Sequence, residues 1–237
     1  MRPPDGSSTV VIIPAFNEEQ SIGQVIRSIP HEWIREIIVV DNGSVDHTAI
    51  EARSAGAVVL HEQRKGYGYA CLRGIDRALA LQADIIVFLD GDFSDYPEEL
   101  PDLVRPILQE GFEMVVGSRM MGKRERGAML PHAIFGNWLA SRLIQLFWGY
   151  RFTDLGPFRA IQTRALTRLN MSDPTFGWTV EMQVKAAKLK LRCTEVPVRY
   201  RKRIGKSKVS GTLRGSIGAS LKILSTIGKH LFVNVQA

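Results

Sequence analysis

Cysteine is scarce in this chain: its 237 residues include two, Cys71 and Cys193. They lie far apart and lack metal-ligand spacing, which excludes a disulfide framework and a cysteine zinc site and fits a reducing, cytoplasmic setting. Long apolar runs are also missing. The nearest, AIFGNWLASRLIQLFWGY, is broken by Arg142 and falls short of the roughly eighteen uncharged apolar residues that cross a bilayer. The first residues, MRPPDGSSTVV, carry no apolar h-region, so secretion is not expected. No lysine P-loop occurs, and Tyr200 and Arg201 lack the interleaved aromatics of a nucleic-acid platform.

Acid is missing from one end. No acidic residue follows Glu195, while Arg199, Arg201, Lys202, Arg203, Lys206, Lys208, Arg214, Lys222 and Lys229 accumulate there. Lysine and arginine outnumber acids 31 to 24, for a net charge of +7, and this balance points to an anionic partner. With 45% hydrophobic residues the chain can bury a sizeable core. The expected organisation is a compact α/β domain over residues 1–210 and a basic amphipathic helix over 211–237. In that helix Leu213, Ile217, Leu221, Leu224, Ile227 and Leu231 recur at helical spacing, suited to packing on the domain or to resting on a membrane.

Hydrophobic periodicity supplies the fold. TVVIIPA, EIIVVD, AVVLHE, ADIIVFLD and EMVVGSR read as buried strands. Helical patterns fall between them: EEQSIGQVIRSI, Thr48 to Ser54, GYGYACLRGIDRALALQ and EELPDLVRPILQEG. Such alternation implies βαβ crossovers and a mainly parallel, Rossmann-like sheet with helices on both faces. Ligands bind such sheets at the carboxyl ends of the strands, which would bring PAFNE, DNGS, DGDFS and SR to one rim. Beyond Met120 the alternation stops, with a helix in HAIFGNWLASRLIQLFWGY, an irregular TDLGPFRA, a helix in WTVEMQVKAAKLK and a strand in CTEVPVRYRKR.

The chemistry is concentrated in LDGDFSDYPEEL. Asp90 and Asp92, at the exit of a buried strand, are placed to share a divalent cation, whereas Asp95, Glu98 and Glu99 suit the start of the following helix. The glycines of RKGYGYA permit a tight start to a helix and close approach to a ligand, or serve only a turn.

VIIPAFNEE, VVDNGSVDHT, RKGYGYA and LDGDFSDYPEEL, in this order, resemble the nucleotide-sugar domain of family 2 glycosyltransferases with the GT-A fold. The resemblance continues through VVGSR and GPFRAI to RIGKSKVSG and is similar to the dolichyl-phosphate mannosyltransferase branch. It implies an inverting, Mg²⁺- or Mn²⁺-dependent transfer from a nucleoside diphosphate sugar to a polyprenyl-phosphate-type acceptor. It places Pro14, Phe16 and Glu18 in the nucleotide pocket, Asp41 or its neighbour at the base, and Asp90, Gly91 and Asp92 at the sugar diphosphate and metal. Phe16 stands where tyrosine is frequent, Asn42 where a second aspartate is, and Ser94 where a glutamine would help hold the metal.

A departing diphosphate gains negative charge, and Arg119 and the segment containing Arg203 and Lys208 are the cations available to stabilise it. With a hydroxyl acceptor, Glu181 is the expected general base; a lipid phosphate brings its own oxyanion and needs none. The basic tail suits a peripheral position on the cytoplasmic membrane face. The alternatives are a transferase with a soluble hydroxyl acceptor, a nucleotidyltransferase, and a non-catalytic nucleotide-sugar-binding module.

Overall fold

The computed structural model describes residues 6–205 and 213–232. Strands β1 (Thr9–Ala15), β2 (Glu36–Asp41), β3 (Val58–His61) and β4 (Ile85–Phe88) alternate with helices α1 (Ile22–Ser28), α2 (Thr48–Ser54) and α3 (Tyr67–Ala80). Then come α4 (Leu100–Glu110), β5 (Met114–Ser118), α5 (Pro131–Trp148), β6 (Arg159–Gln162), α6 (Thr163–Leu169), α7 (Trp178–Lys188), β7 (Cys193–Pro197) and α8 (Leu213–Phe232). The seven strands form one sheet in the order β3-β2-β1-β4-β6-β5-β7.

Both faces of this sheet are buried, which explains why β1 and β2 read as unbroken apolar runs. Val10 and Ile12 of β1 point into a core shared with α3, α5, α6 and α7, and Val11 and Ile13 into one shared with α1, α2 and α4. The strands are parallel except at β6, which runs antiparallel between β4 and β5. Strand β6 begins inside TDLGPFRA, a stretch whose sequence shows no regular pattern. A four-residue strand that starts at Arg159, just after a Gly-Pro pair, carries too little pattern to declare itself. Arg159 is nonetheless buried, donating to the carbonyls of Leu155, Gly156 and Thr179.

From β1 the chain winds outward through β2 and β3, then crosses back to β4 on the other side of β1. This reversal opens a crevice at the carboxyl ends of β1 and β4. Helix α3 seals the floor beneath it, and contact between helix and sheet is close at Gly74. A Cβ there would lie 2.5 Å from Cγ2 of Ile12, on a strand with no room to retreat. Gly74→Ala is therefore expected to destabilise the protein by about 1–3 kcal/mol in denaturant titration. Gly228→Ala, where a Cβ meets nothing within 4 Å, should leave stability unchanged or slightly raised.

Candidate active site

The crevice is a cavity of about 310 Å³. Pro14, Phe16 and Glu18 enter it from the end of β1, Asn42 from β2, and Asp90, Gly91 and Asp92 from the turn after β4. Lys65, Tyr67, Phe176 and Arg203 complete the wall. The turn is held on both sides. Leu89 N–H donates to the Ile12 carbonyl at 3.2 Å, and Ile204 and Arg201 N–H donate to the carbonyls of Asp92 and Ser94 at 2.9 Å each. The segment around Tyr200 to Ile204 thus lies along residues 92–95 and carries Arg203 into the cavity.

Phe93 sits within this turn at φ 61°, a left-handed conformation that is costly for a bulky residue. The Arg201 guanidinium lies 3.4 Å above its ring centre and donates to its carbonyl at 2.7 Å. Those contacts hold the strained turn so that Asp90 and Asp92 both reach the cavity.

The two carboxylates differ in setting. Asp92 accepts from the N–H and hydroxyl of Ser94 at 2.9 and 2.6 Å and pairs with Arg203 at 3.2 Å. The same guanidinium reaches Glu18 at 3.1 Å, so it bridges two acids from different loops. Asp90 accepts from the Tyr67 hydroxyl at 3.0 Å and has no such cation against it among the described residues. Burial, followed by repulsion from Asp92, pushes its carboxyl up to about 7.

On the β2 side, Phe16 is 37% exposed and the Lys65 ammonium sits 4.5 Å above its ring. Lys65 is pinned there by the carbonyls of Asn42 and Gly43, at 3.0 and 2.8 Å. Asn42 ties the wall together, donating to the carbonyls of Glu62 and Arg64 and accepting from Gly66 N–H. Asp41 is buried behind it, accepting from Ser44 N–H at 3.0 Å and facing His61 Nδ1 at 3.1 Å. Asn42, and not Asp41, lines the cavity.

Two further residues singled out in the sequence lie away from the cavity wall. Arg119 is bound through Nε and a terminal nitrogen to the Asp154 carboxylate at 2.8 and 2.7 Å, with its guanidinium 5.1 Å from the Tyr200 ring centre. Burial opposes its charge, but Asp154 more than offsets this and holds it firmly protonated. Glu181 is buried in α7, accepting from Ser172 N–H and hydroxyl and from Asp173 N–H, with Lys185 at 2.8 Å. Burial disfavours its charge, yet the bonds from Lys185, Asp173 and Ser172 prevail and hold the carboxyl below its usual range. Lys208 lies outside the described residues.

Asp95 departs from the expected solvated cap. It is 2% exposed, its backbone pairs with that of Tyr200, and neither carboxyl oxygen has a hydrogen-bond partner among the described residues. Burial, followed by the charge of Asp90, pushes its carboxyl well above the usual carboxylate range. Glu98 and Glu99 pair with Arg199, at 3.4 and 2.5 Å.

Lys65, Tyr67 and Phe176 were not singled out as functional residues. RKGYGYA does contain the signal for the first two. The glycines there also serve packing, since a Cβ at Gly68 would collide with the carbonyl of Asp173. Phe176 gives no local sign, because it reaches the cavity only through that contact between the 173–177 loop and the start of α3.

The model of glycosyl transferase family 2 matches residues 10–169. The chain belongs to glycosyl transferase family 2. An uncharacterized glycosyltransferase of Mycobacterium tuberculosis is 36% identical to this family 2 enzyme, over 94% of this chain and 99% of that one. Undecaprenyl-phosphate mannosyltransferase of Micrococcus luteus is 30% identical, over 87% and 89%. Glucosyl-3-phosphoglycerate synthase of M. tuberculosis, crystallised with Mn²⁺, UDP and phosphoglyceric acid, superposes with a TM-score of 0.77 at 25% identity, covering 97% and 80%. The GT-A architecture of family 2 is thus shared along nearly the whole chain.

In this family 2 site, the raised Asp90 carboxyl makes stability depend on pH. Unfolded, Asp90 ionises near 3.8; folded, it keeps its proton up to about 7, so its ionisation opposes folding increasingly across that window. The stability advantage of Asp90→Asn over wild type should grow from pH ~4 to ~7 and level off above. Thermal melts of both proteins across this range check it, and a pH-independent difference would contradict the assignment.

Proposed function

We propose that the enzyme transfers a hexosyl group from a nucleoside diphosphate sugar to a polyprenyl phosphate, with Mg²⁺ or Mn²⁺ held by Asp90 and Asp92, at the cytoplasmic face of a membrane. The observation that carries this reading is the carboxylate pair at the strand switch, facing a cavity walled by an aromatic ring and basic groups. Among the described residues no set of three or more histidine, cysteine or acidic side chains is arranged to hold a metal. The pair nevertheless fits a hard cation whose remaining positions are taken by phosphate oxygens and water. Asp90 is compatible with the fit: burial, followed by repulsion from Asp92, raises its carboxyl, and a bound cation would offset both. When bound, the ion would neutralise the leaving diphosphate.

The protein's own residues supply the rest. Phe16, with Pro14 and Glu18, forms the nucleoside wall, and Asp41 acts on the base side through His61 and Asn42. Gly91 lets the sugar diphosphate approach the backbone. Arg203, together with Lys208, meets the diphosphate, while Arg119 fixes the neighbouring turn through Asp154 and adds positive potential. An acceptor phosphate oxygen attacks the anomeric carbon opposite the leaving group, giving inversion. The electrons of the broken bond depart with the nucleoside diphosphate. The acceptor is already an anion, and a Glu181 bound by Lys185 and two backbone N–H groups suits a reaction that needs no protein base. The Micrococcus relative's acceptor points the same way.

Likeness to an enzyme crystallised with phosphoglyceric acid favours a second reading, a soluble hydroxyl acceptor with Glu181 as base. Thermal stabilisation by UDP- and GDP-sugars, with and without Mn²⁺, should identify one donor. Asp92→Ala should abolish that stabilisation and lower transfer by roughly a hundredfold or more. Glu181→Gln, assayed below its melting temperature, should keep kcat with polyprenyl phosphate. A loss of about a hundredfold or more would instead favour the hydroxyl reading. No stabilisation by any nucleotide sugar would refute both.

A further inference from the structure

Helices α5 and α8 pack side by side and both lie against α7, most of which is buried. The outward faces of this outer pair are apolar where a solvent-facing helix is normally polar. On α5, Asn137, Ala140, Ser141 and Ile144 turn inward. Opposite them stand Phe135, Trp138 and Leu146, which are 60, 50 and 74% exposed, with Arg142 in the same stripe. On α8, Thr226, Ile227 and His230 are buried, while Leu221, Leu224 and Leu231 face away from the body.

The charge on this face has one sign. Neither helix contains an acidic residue; Arg142 is exposed within the α5 stripe, and Lys229 is exposed on the flank of α8, to one side of its leucines. A symmetric contact with a second copy would bring two copies of Arg142 into one apolar contact with no acid on either helix to pair them, whereas an anionic surface would attract Arg142 and the flanking Lys229. Among the described residues no helix is long and apolar enough to cross a membrane, so contact would be made along the helix sides. The face also adjoins the active site. Lys222 of α8 pairs with Asp173 at 2.8 Å, and Thr226 lies beside Gly177; the loop between them carries Phe176 into the cavity.

We infer that the joint α5–α8 face rests on an anionic phospholipid bilayer and sets the Phe176 edge of the cavity against the headgroup layer. The docking stands on the surface alone; its use in presenting the acceptor rests on the polyprenyl-phosphate reading.

The test is sedimentation of the whole protein with phosphatidylcholine vesicles, with and without phosphatidylglycerol, combined with tryptophan quenching by lipids brominated in their acyl chains. Binding should require the anionic lipid and weaken with salt, and bromines should quench wild type more than Trp138→Phe. Trp138→Ser and Leu224→Ser should each weaken partitioning roughly tenfold. Donor-induced thermal stabilisation should stay unchanged in both, showing that they fold. Transfer to acceptor held in vesicles should fall with binding, and transfer to a short-chain, water-soluble polyprenyl phosphate should not. Absence of vesicle binding, binding indifferent to these substitutions, or a dimer that the same substitutions dissociate would overturn the surface. Vesicle binding without transfer to either acceptor would instead overturn the acceptor reading and leave the surface standing.

Discussion

Two carboxylates at the end of a buried strand cannot both carry full charge cheaply, and the cavity is organised around that repulsion. Asp92 is satisfied by Ser94 and Arg203, and Asp90 is left with one tyrosine hydroxyl and a raised affinity for its proton. Arg203 arrives from more than a hundred residues away because its segment is hydrogen-bonded along the turn from Asp92 to Asp95. The strained backbone at Phe93, the guanidinium of Arg201 over its ring and the bridge from Arg203 to Glu18 all serve the same arrangement. Burial and repulsion between the acids thus give the cavity an affinity for positive charge.

A second network lies on the other side of the cavity and is mechanical. Glu181 holds the backbone of Ser172 and Asp173, Asp173 is held by Lys222, and the Pro174 carbonyl accepts from Tyr69 N–H at the start of α3. Phe176 reaches the cavity as a consequence. A glutamate in this position has a visible function, the positioning of a loop, before any role in proton transfer is invoked. The same network joins the outer helices to the site, so events at their exposed face are only a few contacts from the cavity wall.

Part of this was legible in the chain itself. Strands such as TVVIIPA and EIIVVD are continuous apolar runs because both sheet faces are covered, and the helices between them show their periodicity. The motif order was enough to indicate family 2 and the GT-A fold. Of the residues singled out, Pro14, Phe16, Glu18, Asp90, Gly91, Asp92 and Arg203 line one cavity, while Asp41, Arg119 and Glu181 stand behind its walls. Strand β6 escaped notice because four residues beginning with arginine have no amphipathic pattern, and Asp95 was misread because a solvated acid and a buried one look alike in sequence.

Local order and residue type determined the α/β alternation, the family and the acidic turn, since strand burial, helix spacing and short motifs are properties of contiguous residues. Tertiary structure alone decided which cation faces which acid, which aromatic enters the cavity and which glutamate is locked away. Those choices depend on distances between segments distant in sequence: Arg203 from Asp92, Phe176 from Tyr67, Lys222 from Asp173. Hydrogen bonds need contact within about 3 Å, and close ion pairs gain most at short separation, so the site's chemistry was set only when the sheet brought those segments together.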